Sequence, residues 1–290
     1  MINTTIFYKI ENRLISEIKK RDYIKVVKNS SKLLKLFGKR KYADIYFHSG
    51  ILDEDSIDKI KNAKFIITNS FSNLNLIVEK TEISKDKIDV IYPSVDLEYK
   101  KPKDIKEKYK ERFDLTINTR LILFSAKNFK NSGIKEFLDI CSNLSYIDFK
   151  LLILGNKQQL NALDFIMPKY KSLESKIIKL EESKESSDEI FLLSDIFLLP
   201  THNKNIASSV IKAMFCKCVV FAPINNDIKE ILDIYATMDS PSDPSTPFKI
   251  DGVLYDLNEL KKIQKENRKI AKQMSLEQNI AKFDDILSKI

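Results

Sequence analysis

Asp195-Ile196-Phe197-Leu198-Leu199-Pro200-Thr201 is an apolar run stopped by a proline. A helix-to-strand passage follows it, Lys212-Ala213-Met214-Phe215-Cys216-Lys217-Cys218-Val219-Val220-Phe221. A short apolar run bounded by turn residues suits a strand buried on both faces, as in a parallel sheet. Working back from it, Arg120 to Ala126 and Phe149 to Leu154 read as strands, the second closed by Gly155. Lys176 to Leu180 and, downstream, Cys218 to Ala222 read the same way. Helical patterns fall between them, over Gly133 to Asn143, Lys157 to Met167, Ser187 to Leu193 and Ile206 to Phe215, with a short helix over Ile228 to Ile234. Strands alternating with helices at this spacing predict an α/β fold with a doubly wound parallel sheet over residues 104–256. Ligands of such sheets sit at the carboxyl ends of the strands. The loops after Ala126, Gly155, Leu180, Pro200 and Ala222 are therefore where a site is expected.

Residues 1–98 read as a second, smaller domain. Residues 5–41 carry a rough helical apolar stripe through Ile15, Ile18, Tyr23, Ile24, Val27, Leu33, Leu34 and Leu36, which predicts one or two helices. Strands are expected within Ala43 to Gly50, ending in a loop, from Lys64 to Asn69 and from Lys87 to Tyr92, the last stopped by Pro93. Ser70 is placed to cap a helix after it. The boundary is expected between Pro93 and Lys103, and residues 257–290 as a charged helical cover.

Composition narrows the class. The chain has 290 residues, 43% hydrophobic and 31% charged, which is globular and not disordered. No apolar run is long enough to span a membrane. Charges in the first residues interrupt the apolar core that a signal peptide needs. Together with three cysteines, too few for a disulfide framework, this predicts a cytoplasmic protein. The net charge of +8 admits phosphorylated ligands, anionic lipid or nucleic acid as partners. No stacking-aromatic motif or basic recognition helix supports nucleic acid. The basic stretch from Lys19 to Lys41 suggests contact with an anionic membrane surface at the inner face, or simply a solvated face. With five glycines and neither a GxGxxG nor a Walker A motif, an ordinary dinucleotide or P-loop site is excluded. Cys216 and Cys218 fit buried thiols better than a metal site.

The ordered motifs resemble the family 4 retaining glycosyltransferases (glycosyl transferases group 1) of GT-B architecture. In that family a strand like DVFLLPS precedes a helix starting EAMACGKPVVA, and Asp195 to Thr201 and Lys212 to Phe221 are similar to them. Lys87-Ile88-Asp89-Val90-Ile91-Tyr92-Pro93-Ser94-Val95-Asp96 resembles the family's KIxVIYNGVD linker. Ile67-Thr68-Asn69-Ser70 resembles its strand-to-serine turn, and Met274-Ser275-Leu276-Glu277 its FSWE helix start. The likeness covers roughly residues 63–290. It implies two Rossmann-like domains, the N-terminal one shortened, and transfer of a sugar from a nucleotide-sugar donor to a glycan or lipid-linked acceptor, with no metal and no cofactor. The alternative it leaves open is an inactive relative that binds a ligand or partners another glycosyltransferase.

The resemblance also assigns residues. His48 stands where the family has a histidine near the acceptor, and Lys127 where an arginine grips the diphosphate; a satisfied strand-end histidine and a solvated loop lysine are the alternatives. The family's diphosphate lysine is Ser132, with Lys130 near enough to replace it, and Gly133 begins the helix whose amides would meet the phosphates. Gly155 and Leu180 border the donor, with the base near Lys179-Leu180. The two family glutamates around the donor sugar are Lys204 and Lys212. The glycine pair beyond them is Asn226-Asp227, followed by a retained Glu230. A lysine only donates hydrogen bonds, so the exchanged pair suggests a donor with an extra anionic group, such as a uronic or nonulosonic acid, or lost activity.

Overall fold

The computed structural model describes residues 3–27 and 41–290. They form two compact units, one reaching to Asp96 and including Gln273–Ile290, the other spanning Leu97–Lys272.

The first unit is a five-stranded sheet of β1 (Thr4–Tyr8), β2 (Ile24–Val26), β3 (Ile45–His48), β4 (Phe65–Thr68) and β5 (Ile88–Val90), in the order β2-β1-β3-β4-β5. Every pairing is parallel. Side chains alternate between two apolar layers, because successive residues of a strand face opposite sides. Ile6, Ile45, Phe47, Phe65 and Ile67 pack with helices Arg13–Ile18 and Leu276–Leu287. Phe7, Tyr46 and Ile66 pack with helices Glu54–Asn62 and Phe71–Thr81. Coverage on both faces explains why these strands read as continuous apolar runs.

Two expectations are corrected here. Residues 5–41 do not begin as helix: Thr4-Thr5-Ile6-Phe7-Tyr8 is β1, and a six-residue helix, Arg13–Ile18, leads to β2. β-Branched and aromatic residues at Thr4 to Tyr8 suit a pleated strand held between two others, and that preference outweighs the loose helical stripe. The basic stretch Lys19 to Lys41 lies mostly at 28–40, outside the described residues. At its described start Lys19 pairs with Glu11, Lys20 with Glu17 and Arg21 with Asp284. The second correction concerns 257–290, which is not one cover. Helix Leu257–Lys272 belongs to the second unit and Leu276–Leu287 to the first. Ser275 caps the latter, and β-like bonds Val95 N to Met274 O (3.0 Å) and Leu276 N to Val95 O (2.8 Å) tie it down. Asn279, fully buried, donates to Tyr92 O and Ser94 Oγ, both at 2.9 Å.

The second unit is the doubly wound sheet that the sequence predicts. Its strands are β6 (Arg120–Ser125), β7 (Phe149–Gly155), β8 (Ile177–Glu181), β9 (Ile196–Leu198), β10 (Val219–Pro223) and β11 (Thr237–Met238), ordered β11-β10-β9-β6-β7-β8. All pairs are parallel. The chain runs outward through β7 and β8, then returns to the other side of β6 with β9. Right-handed crossovers therefore place helices on opposite faces. The three cysteines are free and buried. Burial pushes the Cys216 thiol up to about 12, and the Cys218 thiol donates to Phe191 O and Ser194 O. They pack as small apolar groups. Among the described residues no helix is long and apolar enough to cross a membrane.

Candidate functional site

The reversal of strand order lies at β6, between β9 and β7. The loops after β6 and β9 consequently leave the sheet side by side, the usual position of a ligand crevice in such folds. They touch through backbone. His202 N donates to Asn131 O at 3.1 Å, and Thr201 Oγ1 lies 3.5 Å from the same oxygen. Gly133 closes the junction: its φ is 82°, and a Cβ there would lie 1.9 Å from Pro200 O. Only glycine fits a left-handed position under such a close approach.

Lys127 and Lys130 project from the β6 loop and Lys204 from the β9 loop. All three are exposed, and none makes a side-chain hydrogen bond or ion pair among the described residues. Gln159 fixes the backbone before Lys127. It donates from Nε2 to Ala126 O at 3.0 Å while its Oε1 accepts from Asn156 N at 2.9 Å. Gly155 admits Phe129 beside it, since a Cβ would meet that ring at 2.4 Å.

The amides differ from the expected set. Those of Ser132 and Gly133 are already used, donating to Asn128 O (3.0 Å) and Lys130 O (3.4 Å). In helix Ile134–Ser142 the Lys135 and Glu136 amides have no acceptor among the described residues, as the first-turn donors of a helix usually do not. Glu136 also brings a carboxylate into the cluster, where His202 Nε2 meets its Oε1 at 3.0 Å.

The predicted donor-sugar positions separate. Lys204 has its backbone pinned, with its carbonyl accepting from Asp227 N at 2.7 Å. Lys212, on helix Ser208–Phe215, turns to Asp188 at 2.5 Å and lies 4.6 Å above the Phe191 ring. It does not join Lys204. Asn226 is buried with its side chain committed to the loops: Nδ2 donates to Asn203 O (2.8 Å) and Asn205 O (2.9 Å), and Oδ1 accepts from Ile228 N (2.9 Å). Asp227 and Glu230 belong to the one-turn 3-10 helix after it. Leu180 is buried in β8. Asn226→Ala should cost about 1–2 kcal/mol in urea unfolding, since two carbonyls and an amide lose their partner.

His48 ends β3 in the first unit, 2% exposed. Its Nδ1 has no hydrogen-bond partner among the described residues. Burial first, then the Lys9 cation, holds its pKa down to about 4 from 6.5. Lys9 itself is bound by Asp53 at 2.7 Å and Ser56 at 2.8 Å. His48 is thus neutral near pH 7. The unfolded chain takes up the proton near 6.5 and the folded chain only near 4. Stability should be full above that window and fall as pH drops through it. Urea midpoints of the native chain between pH 7 and pH 4 should therefore decline more than those of His48→Gln.

Sequence reasoning missed Glu136, Gln159 and His202 as parts of this arrangement. Gln159 was legible, because Asn156 and Gln159 have capping-box spacing and the box is formed. The pairing of Glu136 with His202 had no local signal. Among the described residues no group of three or more His, Cys, Asp or Glu is gathered as a metal site.

Comparison with known proteins fits this architecture. Residues 105–238 match the family described as Glycosyl transferases group 1. No curated protein matches the chain. Among solved structures, Anabaena HepE in complex with UDP-glucose superposes with a TM-score of 0.74 at 13% identity, covering 99% of this chain and 100% of that one. A glycosyltransferase from Rickettsia africae ESF-5 gives 0.70 at 17%, covering 99% and 90%. WaaG, a glycosyltransferase involved in lipopolysaccharide biosynthesis, gives 0.68 at 11%, covering 97% and 99%. At these identities the likeness is one of fold. The chain thus has two parallel-sheet units in the fold shared with these GT-B structures, and its residues 105–238 match the family described as Glycosyl transferases group 1.

Proposed function

We propose that the second unit binds a nucleoside diphosphate sugar at the joined β6 and β9 loops, and that the chain transfers that sugar to a glycan or lipid-linked acceptor. One observation carries the reading: three exposed, unpaired lysines, Lys127, Lys130 and Lys204, stand on the two loops that meet at the switch point. A diphosphate needs cations together with free amides at a helix start, and the Lys135 and Glu136 amides supply the second. In transfer with retention, charge grows on the leaving diphosphate, and Lys127 stabilises it there. The match to glycosyl transferases group 1 and the fold shared with HepE, solved with UDP-glucose, support this reading.

The donor sugar carries an anionic group. Lys204 offers a positive charge where the resembled family has a carboxylate, and an ammonium gains most from a carboxylate or phosphate. A partly exposed pair of this kind contributes about 1 kcal/mol, or roughly 5-fold in affinity. UDP-glucuronic acid should thus bind about 5-fold more tightly than UDP-glucose by calorimetry, and Lys204→Ala should erase the difference. Equal binding of the two donors by the native chain would overturn the preference.

The Asp188 partner of Lys212 favours a second reading. That side chain is already satisfied away from Lys204, so the chain could hold a nucleotide and serve as a silent partner of another glycosyltransferase. Binding without turnover of any donor sugar supports this one. Turnover of an anionic donor supports the first.

A further inference from the structure

A second basic pocket lies at the opposite edge of the same sheet. Its volume is about 130 Å³, the room of roughly four liquid waters. Lys103 and Lys106 reach it from helix Pro102–Tyr109, and Asp195 and Lys217 stand just before β9 and β10. Ser194 and Gln264 add neutral polar groups, and Asp195 is the one acid among the lining residues. The pocket sits at the amino edge of the strands, and the length of the sheet separates it from the β6 and β9 loops at the carboxyl edge.

Its three cations are not used up by carboxylates. Lys106 Nζ donates to Thr119 O at 2.9 Å. Lys217 lies 5.4 Å over the Tyr99 ring, and Arg268 approaches the same ring at 3.4 Å. Among the described residues neither Lys103 nor Lys217 has an acid partner. Three cations facing one acid leave the pocket positive by two charges.

Lys217 adds an independent observation. Its φ is +68°, directly after helix Ser208–Phe215 and its C-cap Cys216. Glycine is the usual residue at that left-handed position, because a Cβ is disfavoured there. The helix would end equally well, with less strain, on glycine. A lysine held in this conformation at the rim of a positive pocket points to a use for its ammonium, since strain of this kind gathers at ligand sites.

We propose that this pocket binds a phosphoryl oxyanion, with Lys103, Lys106 and Lys217 as its cations. Charge-assisted bonds from lysine to such an oxyanion are the strong class. An anion of higher charge binds more tightly, so pyrophosphate exceeds inorganic phosphate.

The test is calorimetry and thermal unfolding of the whole chain with inorganic phosphate and with pyrophosphate, against sodium chloride at equal ionic strength. Both oxyanions should raise the midpoint beyond the chloride control. Lys217→Gly removes ammonium and strain together. It should unfold at the same or a higher temperature without ligand, yet bind pyrophosphate at least about 5-fold more weakly. Lys103→Gln should weaken binding in the same direction. Because the β6 loop is itself expected to hold a diphosphate, the titrations are repeated in a Lys127→Ala background, where part of the oxyanion shift should persist and adding Lys217→Gly should remove it. The proposal is overturned if the shift equals that in chloride, if Lys217→Gly keeps full affinity, or if Lys127→Ala abolishes the shift, which would place the ion at the β6 loop.

Discussion

Gly133→Ala should destabilise the second unit by about 3–5 kcal/mol, the range of severe backbone and packing lesions. Two effects act at one residue. Its φ of 82° lies in the left-handed region, which costs a side-chain-bearing residue about 1–2 kcal/mol. The added Cβ would also stand 1.9 Å from Pro200 O and 2.8 Å from Pro200 C. Both are backbone atoms, so no rotamer relieves the contact. The β6 and β9 loops must separate, breaking the bond from His202 N to Asn131 O. The expected readout is a large drop in urea midpoint with nucleotide binding lost. A fully stable Gly133→Ala chain would show that the two loops are not joined as described.

Lys127→Ala should weaken binding of a nucleoside diphosphate by roughly 1.5–3 kcal/mol, the worth of a hydrogen bond to a charged group. That is about 10- to 150-fold in Kd. Stability should be unchanged within about 0.5 kcal/mol, as for surface substitutions away from special features, because the side chain is exposed and makes no hydrogen bond or ion pair among the described residues. The separation matters, since it distinguishes a ligand contact from a structural one. Lys127→Arg should bind at least as well as the native chain, because the guanidinium forms a fork to phosphate where the ammonium is a point charge. Calorimetry with UDP on the three chains measures this. Unchanged affinity in Lys127→Ala would remove the residue from the site and leave Lys130 and Lys204 as the cations to examine.

Which parts were readable in the residues follows from the range of the interactions involved. Asp195 to Pro200, Leu121 to Ser125 and Phe149 to Leu154 announce buried strands because each run is apolar, short and closed by a turn residue. Their parallel pairing follows from the helices between them. The same reasoning failed at Thr4 to Tyr8. There the run is only five residues long, and a helical stripe beyond it, partly in 28–40, drew the reading away. The split of 257–290 was hidden too: Met274 and Ser275 look like a pause within one helical tail, and only the bonds to Val95 and the burial of Asn279 assign the last helix to the first unit.

At the site the sequence by itself determined which residues are chemically able to act. Lysines at 127, 130 and 204 on loops after predicted strands, and a glycine at the start of a helix, are local facts, because strand, loop and helix start are set by neighbours in the chain. Tertiary structure alone decided how those groups are used. Lys204 is left free while Lys212 is taken by Asp188. The amides of Ser132 and Gly133 turn inward, leaving those of Lys135 and Glu136 open. Asn226 serves the loops with its side chain, and His202 meets Glu136 across 66 positions of sequence. Such choices depend on which partner stands within hydrogen-bond reach. That reach is fixed by the order of β9, β6 and β7 in the sheet, which brings together loops whose residues carry no mark of one another in the sequence.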